Sequence, residues 1–230
     1  MTTLGLTPEI ELMTAPEVNR ATTIRETAVG AAATHANSVR DDQIQALVQQ
    51  LFFRQNPAAV RHVGFSAIES QTDTAQLCLD VATALAERGL HDVGLIDARL
   101  QSEPLHMQLQ IPAGNRADAS WLIAPRLWLA PRRKWLDDSA QRVWDPSLTR
   151  LRAATTEFDF SILCFDPLSW LTARLSQTCN GLVVVLTANK TRRLVAARMQ
   201  EQLRRERVTV LGTVLAERRF PVPPGLYRNL

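Results

Sequence analysis

Lysine is nearly missing from this 230-residue chain: of its 26 basic residues, all but Lys134 and Lys190 are arginine. Tyrosine is rarer still, with Tyr227 alone. The three cysteines, Cys78, Cys164 and Cys179, stand singly in apolar surroundings, which argues against a disulfide framework or a zinc site and suits a reducing cytoplasm. His35, His62, His91 and His106 are scattered without metal-ligand spacing and read as structural or surface residues. Long apolar runs are missing too: Gly181 to Leu186 falls far short of the ~20 residues a spanning helix needs. The opening MTTLGLTPEIELM lacks a basic start and an apolar core, so no cleavable leader is expected. Two local gaps matter most. No glycine lies between Gly64 and Gly89, and no lysine or arginine between Arg61 and Arg88.

What is present describes a globular protein. Hydrophobic residues make up 46% and charged residues 21%, near the soluble average, and the length suits one domain with a sizeable core. The net charge is +3, with arginines gathered near Arg132, Arg192, Arg204 and Arg218. Such clusters suit an acidic partner, anionic lipid heads or nucleic acid; the plainer reading is solvated helix faces.

Residues 1–38 carry few large apolar side chains after Met13 and read as a mobile arm. Residues 39–217 read as one α/β domain, and 218–230 as a proline-rich tail. In the domain, Ile44, Leu47, Val48, Leu51 and Phe52 recur at helical spacing. His62–Ala67 and Val93–Asp97 read as strands around a helix with Cys78, Val81, Ala82 and Leu85 inward, capped by Thr72 or Thr74 and ended by Gly89. From 98 to 150 prolines keep breaking the pattern; Arg126–Ala130 reads as a strand, Leu148–Ala154 as a short helix, and Trp121, Trp128, Trp135 and Trp144 as packing residues. Strands follow at Phe160–Phe165, Gly181–Thr187 and Val208–Leu215. The helix after Thr191 is expected to turn Leu194, Val195, Met199 and Leu203 inward and its arginines outward. This alternation predicts a doubly wound, mainly parallel sheet with helices on both faces, whose ligands gather at the carboxyl ends of the strands. Ala67–Thr74 and the residues after Ile96 would meet there.

Several segments carry a resemblance: DDQIQALVQQLFF, VGFSAIESQTDT, LIDARLQSEPLHMQLQI, FDFSILCFDP, NGLVVVLTANKTRR and the C-terminal VTVLGTVLAERRFPVPPGLYRNL. In order and spacing they resemble the cytoplasmic tyrosine kinases and ATPases of bacterial capsule and exopolysaccharide systems, relatives of the MinD and ParA deviant-Walker ATPases. The resemblance covers most of residues 41–230 and implies a P-loop NTPase-like fold. It places a degenerate nucleotide site at Ser70, Gln71, Thr72, Asp73, Thr74 and Asp97, and a magnesium set at Asp97, Asp166 and Thr74.

The departures from that pattern decide the expected function. A phosphate loop needs glycines whose N–H groups close around phosphate oxygens, a lysine for the β and γ charges, and a hydroxyl for magnesium. Here the charged residues of the loop are Glu69 and Asp73. A carboxylate about 4 Å from a phosphate charge is repelled by roughly 4 kcal/mol at an effective dielectric near 20. Arg99 replaces the second carboxylate of LIDARL, Cys164 stands at the position of the later aspartate, and Asp42, Gln45 and Val48 replace a glutamate and two arginines of the family's first helix. With Tyr227 alone, the usual C-terminal tyrosine cluster is missing.

The expectation is therefore a catalytically inactive cytoplasmic scaffold or regulator of exopolysaccharide synthesis and export, peripheral to the inner membrane. No cofactor is expected, and the partner implied is the cytoplasmic part of a membrane polysaccharide co-polymerase or synthase; homo-oligomers are compatible with the family. Two alternatives stand beside it. One is an active ATPase or tyrosine kinase using ATP and magnesium in an atypical site, with an arginine from a neighbouring subunit. The other is nonspecific, ParA-like DNA binding through the arginines of the 192–205 helix and the tail.

Overall fold

Alternate residues along each central strand face two different cores, which is why helices must cover both sides of the sheet. Val63, Phe65 and Ala67 of strand β1 (His62–Ala67) join one buried cluster with Ile162, Cys164, Val183 and Val185. Leu163, Leu182 and Val184, the interleaved positions of the neighbouring strands, join the other. The computed structural model describes residues 40–53, 60–89, 91–116, 118–136 and 144–216. The expected arm at 1–38 and tail at 218–230 lie outside them. Two compact units divide between Asp42 and Gln43; of the first, only Arg40, Asp41 and Asp42 are described, all helical and exposed.

Helix α1 runs over 40–52, and its part in the second unit buries Ile44, Val48 and Phe52, spaced one turn apart. Phe52 meets Phe160 edge to face, with ring centroids 5.6 Å apart. Helix α2 (Ala75–Ala86) buries Cys78, Val81, Ala82 and Leu85 as its periodicity predicts, and Gly89 adopts φ +75° just beyond its end. The chain continues through β2 (Val93–Asp97), the one-turn α3 (Leu105–Gln108), β3 (Trp121–Ala124), β4 (Leu127–Ala130), α4 (Trp144–Thr156), β5 (Phe160–Cys164), α5 (Trp170–Leu175), β6 (Gly181–Thr187), α6 (Arg193–Arg205) and β7 (Val210–Ala216).

The strand order is β3-β4-β2-β5-β1-β6-β7, and every neighbouring pair is parallel except the β3–β4 hairpin. This is a doubly wound, mainly parallel sheet of P-loop NTPase-like architecture. Although β1, α2 and β2 follow one another in the chain, β5 lies between the two strands in space. Leu95 belongs to the buried cluster that holds residues of α1 and α2, while Ile96 belongs to the other cluster, with Leu151, Ala173 and Leu203 of α4, α5 and α6.

Three expectations need correcting. Neither Thr72 nor Thr74 caps α2: Thr74 occupies the cap position without a side-chain bond to the backbone, and the Asp73 carboxylate accepts the Ala75 N–H at 2.8 Å instead. Strand β3 went unread because Pro125 separates it from β4, and the left-handed Arg126 (φ 60°) completes the turn. Finally, Leu194 and Val195 do not face inward; they are 74% and 36% exposed, and Leu203 alone of α6 is fully buried. Of the tryptophans, Trp135 is wholly buried and donates its indole N–H to the Asp97 carbonyl at 2.9 Å.

His62, at the start of β1, gives the fold a pH dependence. Asn180 Oδ1 accepts the N–H groups of Arg61 and His62, at 2.9 and 2.8 Å. The imidazole Nδ1 is buried without a partner, and burial, reinforced by Arg61, lowers the His62 pKa below its ordinary value. The unfolded chain therefore takes up a proton near pH 6.5 that the folded chain resists. Stability is full above that pH and declines as pH falls through it toward the depressed folded-state value. Urea midpoints measured at about pH 7.5 and 5.5 should show this loss, with a shallower slope in His62→Gln.

Candidate functional site

Residues 68–74 run from the end of β1 to the start of α2, and their backbone shows what the sequence change has done. None of them has a positive φ: the left-handed positions among the described residues are Gly89, Gln110, Arg126, Asn189 and Arg207. A phosphate-cradling nest needs successive right- and left-handed residues so that its N–H groups converge. Here the loop closes as an ordinary turn, with Thr72 N–H donating to the Glu69 carbonyl at 3.2 Å and Ile68 N–H to the Val185 carbonyl at 3.2 Å. The Thr72 hydroxyl is tied to that of Thr187, 2.5 Å away.

An internal carboxylate fills the helix N-terminus. Asp73 Oδ1 accepts the Ala75 N–H and, at 3.1 Å, the side-chain amide of Gln108 from α3. A free helix N-terminus attracts anions through its unpaired N–H groups and dipole. Asp73 supplies that negative charge from within, so a phosphate arriving here meets a carboxylate. Thr74 is buried, and its hydroxyl lies 3.7 Å from the thiol of Cys164. Burial pushes the Cys78 thiol well above its usual pKa, and its hydrogen bond with Cys164 adds to the effect, so Cys78 stays a neutral core residue.

The two aspartates of the expected magnesium set are engaged with their own chain. Asp97, 2% exposed, receives Arg99 Nε on Oδ1 at 3.2 Å and the Leu105 N–H on Oδ2 at 2.8 Å. Arg99 is 3% exposed; it also donates through Nη1 to Gln108 Oε1, while its Nη2 is buried without a partner. Asp166 accepts Leu100 N–H at 2.5 Å and Gln101 N–H at 2.9 Å on Oδ2, and Ser102 N–H at 3.1 Å and Ser102 Oγ at 2.5 Å on Oδ1. Arg132 holds the same loop from the other side, donating to the carbonyls of Arg99 and Leu100 at 3.1 Å and of Ser102 at 3.3 Å. A cation bridging Asp97, Asp166 and Thr74 would have to displace these bonds. Among the described residues, no cluster of three or more His, Cys, Asp or Glu side chains has metal-binding geometry.

The loop and these partners enclose a cavity of about 330 Å³, lined by Ser70, Gln71, Thr72, Asp73 and Thr74 on one side and by Arg99, Ser102, Glu103 and Gln108 on the other. The structure thus brings the predicted loop residues together. It separates Asp97 from them by the Arg99 side chain, and it sets Asp166 beneath the 100–102 loop. Sequence reasoning had missed Gln108, Ser102 and Glu103. The only signal for them was their position after a strand at the carboxyl edge of the sheet.

No protein-family model matches the chain, and no curated protein matches it in sequence. Solved structures match it in fold. The fold is that of bacterial tyrosine-kinase domains and ParA-type ATPases. The chimerical protein CapA2B2 superposes with a TM-score of 0.64 at 13% identity, over 76% of this chain and 83% of that one. The kinase domain of the Escherichia coli tyrosine kinase ETK gives 0.60 at 13% identity, over 80% and 79%. A ParA family ATPase from Chlorobium tepidum gives 0.53 at 18% identity, over 68% and 74%. At these identities the likeness is one of fold. What the crevice of this chain can do follows from its own side chains: one guanidinium, two carboxylates, and hydroxyls and amides, of which Thr72, Ser102 and Gln108 are already bonded within the chain.

Proposed function

We propose that this chain is a pseudoenzyme: a kinase- or ATPase-like fold that binds a protein partner in place of nucleotide. The observation that carries the reading is the 68–74 loop, which has no left-handed residue and sets Asp73 at the helix N-terminus where phosphate would lie. The resemblance to capsule and exopolysaccharide kinases supports a scaffold or regulator of that synthesis and export. It would act in the cytoplasm at the inner membrane, against the cytoplasmic part of a polysaccharide co-polymerase or synthase. Among the described residues no helix is long and apolar enough to cross a membrane.

The active alternative needs a cation on the transferred phosphate. Arg99 is the cation that lines the cavity, but its guanidinium serves Asp97 and Gln108. Titration of ATP, ADP and GTP with magnesium into the protein is expected to show no binding tighter than about 1 mM, an interaction worth about 4 kcal/mol. Micromolar affinity accompanied by turnover would overturn the pseudoenzyme reading.

A further inference from the structure

The other end of the sheet carries an unfinished surface. Among the described residues strand β7 is an edge of the sheet, and its seven residues, VLGTVLA, contain no charge and no proline. Edge strands of soluble proteins are ordinarily blunted by lysine, proline or a covering element, because their free N–H and C=O groups template further pairing. On β7, Leu211, Val214 and Ala216 pack toward the α1–α2 core, while Val210 and Thr213 face α6 and Leu215 follows on the Thr213 side. Val210 is 41% and Leu215 50% exposed.

Helix α6 does not close over this face. An apolar groove of about 420 Å³ runs between them, lined by Val184, Leu186, Met199, Leu203, Val210 and Thr213. The stretch is basic: Arg193 lines the groove, and Arg192, Arg198, Arg204, Arg205 and Arg207 are exposed along the same segment, whose carboxylates are Glu201 and Glu206. Glu201 is itself paired with Arg205 at 3.2 Å.

We propose that the β7 edge and the α6 groove together bind an extended, acidic segment of another protein, which adds a strand to the sheet, sets apolar side chains into the groove and places flanking carboxylates against the arginines. Main-chain pairing supplies affinity in such augmentation and the pockets supply selectivity. Charge selects the occupant. A second copy paired on β7 would bring its own arginines against these, which is unfavourable. Duplex DNA would satisfy the arginines but leave the groove and the strand edge uncovered. The inference deepens the partner-binding reading above and rests on it; the nucleotide titration tests that reading separately.

The experiment is fluorescence anisotropy with the full chain and a short labelled peptide whose Val/Thr core is flanked by glutamates, alongside the same peptide flanked by lysines. The glutamate peptide is expected to bind with salt-sensitive affinity and the lysine peptide to bind at least about tenfold more weakly. Leu215→Lys, and separately the double variant Arg193→Glu/Arg204→Glu on the groove-facing side of α6, should each weaken binding about tenfold while circular dichroism stays unchanged. Equal binding of both peptides, or none of either, would overturn the proposal. So would a dimer in light scattering that Leu215→Lys abolishes, which assigns the edge to a second copy. Random duplex DNA displacing the peptide would assign the arginines to nucleic acid. Peptide binding that emerges only in Phe220→Asp/Leu226→Asp would assign the groove to the chain's own tail.

Discussion

Asp166→Ala is expected to lower the free energy of unfolding by about 3–5 kcal/mol, read as a fall in the urea midpoint. The buried carboxylate of Asp166 takes three backbone N–H groups and one hydroxyl from residues 100–102, each at 3.1 Å or less. Bonds to a charged acceptor are worth about 1.5–3 kcal/mol each, and a stranded donor costs about 1–3 kcal/mol, though water can reach part of the loop once the carboxylate is gone. Asp166→Asn should fall between, since it keeps one acceptor but turns an amide toward the donors. The same experiment separates this role from magnesium binding. A resident cation would raise the melting temperature of the wild type as its concentration rises, and the aspartate variants would lose that response. A melting temperature independent of magnesium supports the loop-holding role.

The second large effect is expected at Arg99. Arg99→Leu should destabilise the protein by about 3–5 kcal/mol, because it leaves the Asp97 carboxylate buried without its countercharge. The Leu105 and Arg99 backbone N–H groups, at 2.8 and 3.3 Å, would remain as its partners. Asp97→Asn in the Arg99→Leu background should recover part of the loss, so the pair should show a coupling energy of about 1–3 kcal/mol in a double-mutant cycle. Additive losses would mean that the two side chains act independently, contrary to their contact. The comparison also bears on function. Where the resemblance places two carboxylates in LIDARL, this chain has a carboxylate and a guanidinium that neutralise each other.

Much of the fold was legible because period and punctuation agree with burial. His62–Ala67, Val93–Asp97 and Gly181–Thr187 are short apolar runs that form central strands with both faces covered, and there the bounds read from sequence are those of the structure. The misses have specific causes. Leu194 and Val195 carry the inward signature of an amphipathic helix, but α6 packs at the β6–β7 end of the sheet, where among the described residues part of its apolar stripe stays exposed. The Thr72 and Thr74 hydroxyls are good caps in isolation. Thr187 and Cys164, more than eighty residues away along the chain, draw them elsewhere, and Asp73 takes the cap.

The candidate site divides along the same line. The missing glycines and lysine, and the presence of Glu69, Asp73 and Arg99, are matters of composition at known positions. The sequence by itself therefore determined that an α/β sheet would carry, after its first strand, a loop without the glycines and lysine of a phosphate loop. Which groups occupy that loop's place could be decided only in three dimensions. The Asp73 bond to Gln108, the Asp97–Arg99–Gln108 chain and the Asp166 cradle join residues up to 66 positions apart. Local pattern records which side chains can donate or accept, whereas the register of parallel strands brings a particular donor within 3 Å of a particular acceptor. The open edge of β7 likewise follows from strand order, which is a property of the assembled sheet.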